Sequence, residues 1–310
     1  MQNTKKRILA LICAIALALP LIAACGNGGG GDDGEMVIRV GGKDFTEQLI
    51  LAQIAILAFQ EAGIPVDTTA THLGGTDVTR SAMMNRDFHM YWEYTGTAWM
   101  SFLGYDDVID DTTEMFNRIR DWDAENGVVW FPYAPLNNTY VLIMPRADAQ
   151  ARGLRTISDL SDYLAANPGT LIFGGDHEFT VRPDGLPGLM VRYNFDFGAD
   201  VMVMDMGIVF MAIEDGQIDI GMGFATDGRI AAMDLVVLED NLGFFPSYNV
   251  TVSILQEALD AHPQIEGILT PIISRLTDSV MQGLNAQVDI YDYLPREVAE
   301  IWLRAEGFIS

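Results

Sequence analysis

From Met36 onward, short apolar runs alternate with stretches whose apolar positions recur at helical spacing. Val37–Val40 predicts a strand that leaves through Gly41-Gly42-Lys43-Asp44. Phe45, Leu49, Ala52, Ile56 and Phe59 then follow the 3.6-residue period, with Asp44 and Glu47 at capping-box spacing, until Gly63 and Pro65 end the helix. Val66–Thr71 predicts a second strand, Leu73-Gly74-Gly75-Thr76 a turn, Asp77–Met84 a short helix, and Phe88–Tyr94 a third strand that ends at Thr95-Gly96-Thr97. The same style returns in the middle of the chain. Thr139–Met144, Thr170–Phe173, Ala199–Asp205, Gln217–Phe224 and Leu235–Leu238 read as strands, and Ser158–Ala165 (capped by Ser158), Leu186–Phe195 and Ile208–Asp215 as helices. Phe244–Ser253 returns the chain, and the tail from Gln264 is helical in pattern. Strands alternating with helices predict an α/β class with mostly parallel sheets flanked by helices, and 310 residues are enough for about two such domains.

A weak internal repeat sharpens this. Asp87-Phe88-His89-Met90-Tyr91-Trp92-Glu93-Tyr94-Thr95 lies over Gln217-Ile218-Asp219-Ile220-Gly221-Met222-Gly223-Phe224-Ala225, so an aromatic ring, Tyr94 or Phe224, ends each strand. Ligands of open α/β sheets sit beyond the carboxyl ends of the strands. Two such units facing one another would bring both rings to one cleft.

The N-terminus follows different rules. Lys5, Lys6 and Arg7 precede the apolar run Ile8–Leu19, which is short for a membrane span but suits a signal peptide. Ile22-Ala23-Ala24-Cys25 resembles a bacterial lipobox, which makes residues 1–24 a leader, Cys25 the lipidated residue, and residues 25–35, rich in glycine, a flexible tether. Cleavage there removes three of the 18 basic residues and none of the 43 acidic ones, taking the net charge from −25 to −28. It also removes Cys13, leaving no thiol for a disulfide or a catalytic nucleophile in the folded body. The mean hydropathy of +0.18 owes part of its height to the leader. So acidic a chain is a poor partner for nucleic acid.

Several chemistries find no support. Gly221-Met222-Gly223-Phe224-Ala225-Thr226 opens like a dinucleotide fingerprint but lacks the third glycine. His177-Glu178 starts a zincin-like motif, yet Val181 stands where the second histidine belongs, and His72, His89 and His262 lack metal-ligand spacing. Neither a Gly-x-Ser-x-Gly elbow nor a P-loop occurs, so no cofactor or metal is expected. The methionines fall mostly at strand and helix positions, as core filling.

The loops at the strand ends carry the strongest signal. Gly42-Lys43-Asp44-Phe45-Thr46-Glu47, Leu73-Gly74-Gly75-Thr76, Glu93-Tyr94-Thr95-Gly96-Thr97, Asn137-Asn138-Thr139-Tyr140, His177-Glu178-Phe179, Arg182-Pro183-Asp184-Gly185, Thr226-Asp227-Gly228-Arg229-Ile230 and Phe244-Phe245-Pro246-Ser247-Tyr248 follow in order. This series resembles the substrate-binding lipoproteins of osmoprotectant ABC importers, the glycine betaine/choline/carnitine-binding family, over essentially the whole chain from Val37. The resemblance implies a two-lobed periplasmic-binding-protein fold of the second type, with the ligand in the cleft between lobes. It implies an aromatic cage for a quaternary ammonium at Tyr94, Tyr140, Phe224 and Tyr248, with phenylalanine at 224 where tyrosine is usual. For a ligand carboxylate it implies Lys43, Thr97 and Arg182, with the Asn138 carbonyl near the cation. Residues 36–138 with 249–310 would form lobe 1 and residues 139–248 lobe 2, with crossovers near Asn138 and Tyr248. Such a protein is not an enzyme; it captures a solute outside the cytoplasm, anchored by lipid, for an ABC permease and its ATPase. The cage chemistry is sound on its own terms: a trimethylammonium group has no N–H to donate, and each ring face it meets contributes roughly 0.5–2 kcal/mol. Two other readings compete, the same fold binding another small solute such as an amino acid, and a surface hydrolase using Glu93 and Asp227 as paired carboxylates.

Overall fold

The strands form sheets of two, three and five, and the first two, joined by a bridge, act as one sheet with the same plan as the third. In a computed structural model, which describes residues 35–310 except 106 and 110, they are β1 (Gly41–Gly42), β2 (Thr71–His72), β3 (Met90–Tyr94), β4 (Val128–Trp130), β5 (Tyr140–Pro145), β6 (Phe173–Gly175), β7 (Val201–Val203), β8 (Ile220–Phe224), β9 (Leu235–Leu238) and β10 (Val250–Leu255). The leader, Cys25 and all of the tether but its last residue lie outside the described residues.

One sheet has the order β3-β10-β4, and a parallel bridge between Val40 and Met90 places the β1-β2 pair beside β3. The other has the order β7-β6-β8-β5-β9. β10 is antiparallel to both its neighbours, and so is β5. Each sheet therefore has one reversed strand among strands that run together, as the expected mostly parallel arrangement allows. The reversed strands are those by which the chain enters one sheet after leaving the other. A reversed strand starts at the edge where the others end, so the starts of β5 and β10 meet the carboxyl ends of β8 and β3. The repeated segments prove to be β3 and β8, third strands in the same place in both plans.

The first long helix, Thr46–Glu61, is apolar on nearly every side, and Ile50, Leu51, Ile54, Ala55, Ile56 and Phe59 are buried. A helix with no polar face must be covered all round. The C-terminal helices Gln264–Ile273, Asp278–Asp289 and Pro295–Ala305 supply that cover. The sequence pattern misplaces two caps. Phe45, not Asp44, is the N-cap of the first helix, with no side-chain bond. Thr156, not Ser158, caps Ile157–Ala166, through a reciprocal capping box with Asp159. Between the third strand and β4 lie a π-helical turn, Ala98–Phe102, and the helix Thr112–Ala124, capped by Asp111. The sequence reading assigns neither of them.

Candidate ligand-binding site

The two sheet edges enclose a cavity of about 500 Å³, within the usual size of small-molecule sites. Strand register builds one wall of it. Tyr140, which opens β5, is the register partner of Phe224, which closes β8, and their rings stack with centroids 5.4 Å apart. Tyr94 closes β3 opposite Val250, so Tyr248 reaches the same edge. Tyr248 meets the Tyr140 ring edge-on at 5.4 Å. Gly96 makes room for it, since a Cβ there would come within 2.8 Å of the Tyr248 ring and 2.9 Å of the Ser247 carbonyl. Phe45, absent from the sequence-derived cage, completes the wall by stacking on Phe224 at 5.0 Å and on Tyr94 at 6.3 Å. The row runs Tyr94, Phe45, Phe224, Tyr140, Tyr248 without a break. Burial holds the hydroxyls of Tyr94, Tyr140 and Tyr248 well above the usual phenol range, so the wall stays uncharged.

Behind Tyr94 stands Glu47, 2% exposed, which also lines the cavity. Its Oε1 accepts from Tyr94 OH at 2.7 Å and Asn138 Nδ2 at 3.0 Å. Its Oε2 accepts from Asn285 Nδ2 at 3.4 Å. The Thr226 hydroxyl lies 2.7 Å from Glu47 Oε2 and 2.8 Å from Asn138 Oδ1, and with one proton it serves one of them at a time. Burial raises the Glu47 carboxyl above its usual range, against the lowering effect of those hydrogen bonds. The sequence had read Glu47 as a helix cap; starting the helix one residue later turns it inward.

The acid–base pairs around the cavity are largely closed on themselves. Lys43 Nζ donates to Glu93 Oε1 at 2.8 Å in a buried pair and lies 5.4 Å from the Tyr94 ring centroid. Arg229 forks onto Asp227, at 3.0 and 2.6 Å. Arg182 is absent from the cavity wall. Its guanidinium forks onto Asp184, and it donates to Glu178 Oε1 at 2.6 Å and to Thr76 Oγ1 at 3.2 Å. Asp184 in turn accepts from Tyr248 OH at 2.8 Å. Glu178 reaches across the cleft to the N-terminus of the Thr76–Met84 helix, accepting from the Thr76 backbone N–H at 3.0 Å and from its hydroxyl. Burial alone would raise Glu178, but Lys43, Arg182 and these hydrogen bonds together hold it down at about 2.

Of the residues assigned from sequence, Tyr94, Tyr140, Phe224, Tyr248, Lys43, Thr97 and Asn138 line the cavity, and Arg182 supports it from behind. Glu93 and Asp227, the pair a hydrolase would need, are each bound to a cation, and only Asp227 reaches the wall. Phe45, Glu47, Asn285 and Asp289 are among the wall residues that sequence reasoning did not assign. Asn285 comes from the C-terminal helix Asp278–Asp289, far along the chain and outside any motif.

Comparison with known proteins places this geometry. Residues 37–305 match the family model described as the substrate-binding domain of ABC-type glycine betaine transport systems. The chain is similar to a glycine-betaine-binding protein of Pseudomonas aeruginosa, at 37% identity over all of this chain and 97% of that protein. It is 32% identical to an ergothioneine transport permease/ergothioneine-binding protein of Helicobacter pylori, over 88% of this chain and 48% of that one. Among solved structures it resembles a glycine betaine/carnitine/choline ABC transporter protein, with a TM-score of 0.70 at 27% identity over 88% of this chain and all of that one.

Proposed function

The chain belongs to the family of substrate-binding domains of ABC-type glycine betaine transport systems, and from that premise we propose that it captures a quaternary-ammonium solute between its lobes and hands it to a membrane permease driven by an ATPase. The observation that carries this reading is the unbroken row of rings from Tyr94 to Tyr248 along a cavity of about 500 Å³. A permanently charged group without N–H donors offers no hydrogen bond, and such faces hold it through their quadrupoles. No bond of the solute is made or broken in this role.

Substrate-binding proteins of ABC importers work outside the cytoplasm, and Cys25 would tether this one by a lipid. Closure would turn on the two crossovers. Asn137 and Asn249 form an antiparallel bridge, Asn138 N–H donates to Tyr248 O at 3.0 Å, and Tyr248 N–H donates to Asn137 Oδ1 at 2.7 Å. Two cage-lining residues, Asn138 and Tyr248, thus sit in the paired strands about which residues 139–248 would move, so occupancy and closure are coupled. Calorimetric titration with glycine betaine, choline, carnitine, proline betaine, ectoine and ergothioneine tests the proposal. Saturable heat with a quaternary ammonium, returned chemically unchanged, is the expected result. Absence of both heat and thermal shift with every one of them would refute it.

A further inference from the structure

The charges around the cavity go further than the rings. Seven carboxylates line it, from Asp44, Glu47, Asp176, Glu178, Asp205, Asp227 and Asp289, against the cations Lys43 and Arg229. Both cations are already neutralised, Lys43 by Glu93 and Arg229 by Asp227. Arg182, the remaining candidate for a ligand carboxylate, is consumed by Asp184 and Glu178. Glu47 is the contrary case: the four groups that hold it, from Tyr94, Asn138, Thr226 and Asn285, are all neutral. Burying a carboxylate on neutral donors leaves its charge uncompensated, and a cation brought beside it recovers that cost. A second observation points the same way. Asn285 is 4% exposed and lines the cavity, its Nδ2 fixed by Thr226 O at 3.0 Å, while its Oδ1 acceptor is buried without a partner. Among the described residues, one acceptor on this side of the wall is thus left without a donor.

We infer that Glu47 is the counter-charge for the ligand, and that the site prefers a net cationic quaternary-ammonium alcohol, of the choline class, over a zwitterionic betaine. This rests on the quaternary-ammonium reading above and narrows it. Both ligands offer the rings the same trimethylammonium group. They differ at the other end, where choline has a hydroxyl that can donate to an acceptor such as Asn285 Oδ1, and glycine betaine has a carboxylate that brings a second anion towards Glu47.

The test is a calorimetric comparison of choline and glycine betaine on the wild-type protein, Glu47→Gln and Glu47→Asp, with thermal melts to establish that each variant is folded. The wild type is expected to bind choline at least about tenfold more tightly than glycine betaine. Glu47→Gln keeps the shape and removes the charge, and should weaken choline by about tenfold or more, a loss clearly larger than any it causes for glycine betaine. Glu47→Asp keeps the charge and should keep the ranking, which covers the case in which Glu47→Gln fails to fold. Glycine betaine binding as tightly as choline, or equal losses for both ligands in Glu47→Gln, would overturn this inference and leave the cage standing. Binding of neither ligand would overturn this inference, and the cage reading falls with it when the other solutes of the titration also fail to bind.

Discussion

Glu47 and Glu178 line the same cavity, are both largely removed from water, and sit in opposite electrostatic states. Glu178 is paired with Arg182, neighboured by Lys43, and held down at about 2; Glu47 is surrounded by neutral donors and pushed up. Burial is common to both, so burial does not decide what a carboxylate is for. The partner does. Glu178 has its cation within the fold and, through Thr76, is tied to the N-terminus of the Thr76–Met84 helix, a placement that favours a negative charge. Glu47 lacks such a cation and is left to a ligand that brings one.

The most damaging change for any quaternary ammonium is loss of the ring with the most aromatic neighbours. Tyr140 touches Phe224, Tyr248, Phe179 and Phe245, so Tyr140→Ala should weaken every quaternary ammonium by about thirtyfold, or roughly 2 kcal/mol, in a calorimetric titration. Glu178→Gln should act more mildly and without discrimination. By loosening the tie across the cleft it should raise the Kd of choline and glycine betaine alike by about fivefold, whereas a loss confined to one ligand would place Glu178 in direct ligand recognition.

The two carboxyls should also separate by pH. Glu178 lies below its ordinary 4.5 in the folded protein, so the stability it contributes is fully present above 4.5 and is lost as pH falls towards 2. Glu47 lies above 4.5 when folded, so its contribution is present below 4.5 and is lost as pH rises through its raised value. A cation reverses that loss. The rise in Tm produced by saturating choline should therefore grow as pH rises from 4.5 through the raised Glu47 value in the wild type and stay flat in Glu47→Gln. The smallest effect expected is at Phe224. Its ring already stacks on Phe45 and Tyr140, and Phe224→Tyr adds a hydroxyl without removing a face, so choline affinity should stay within about threefold by titration.

Much of this site was legible in the sequence because strand ends are. Tyr94 and Phe224 close two strands that the internal repeat aligns, so strand ends place those two rings at one edge, while Tyr140 and Tyr248 were reached only through the resemblance of the loop motifs to the family. What escaped depended on orientation or on distance along the chain. Phe45 and Glu47 lay in a quoted motif, yet reading Asp44 rather than Phe45 as the N-cap assigned Glu47 to capping and hid that both residues line the cavity. Asn285 meets Glu47 only through the packing of the C-terminal helices on the first helix, for which no local pattern exists. Arg182 shows the converse: its type suits a carboxylate, but Asp184 two residues on and Glu178 four residues back take its donors first.

A crystal structure of the protein with choline tests the central claim most directly. The account predicts the quaternary nitrogen within about 6 Å of the centroids of at least three of the rings of Tyr94, Tyr140, Phe224 and Tyr248, on the side of the cavity where Glu47 stands. A nitrogen placed instead beside Asp205 or Asp176, away from the rings and from Glu47, would contradict it.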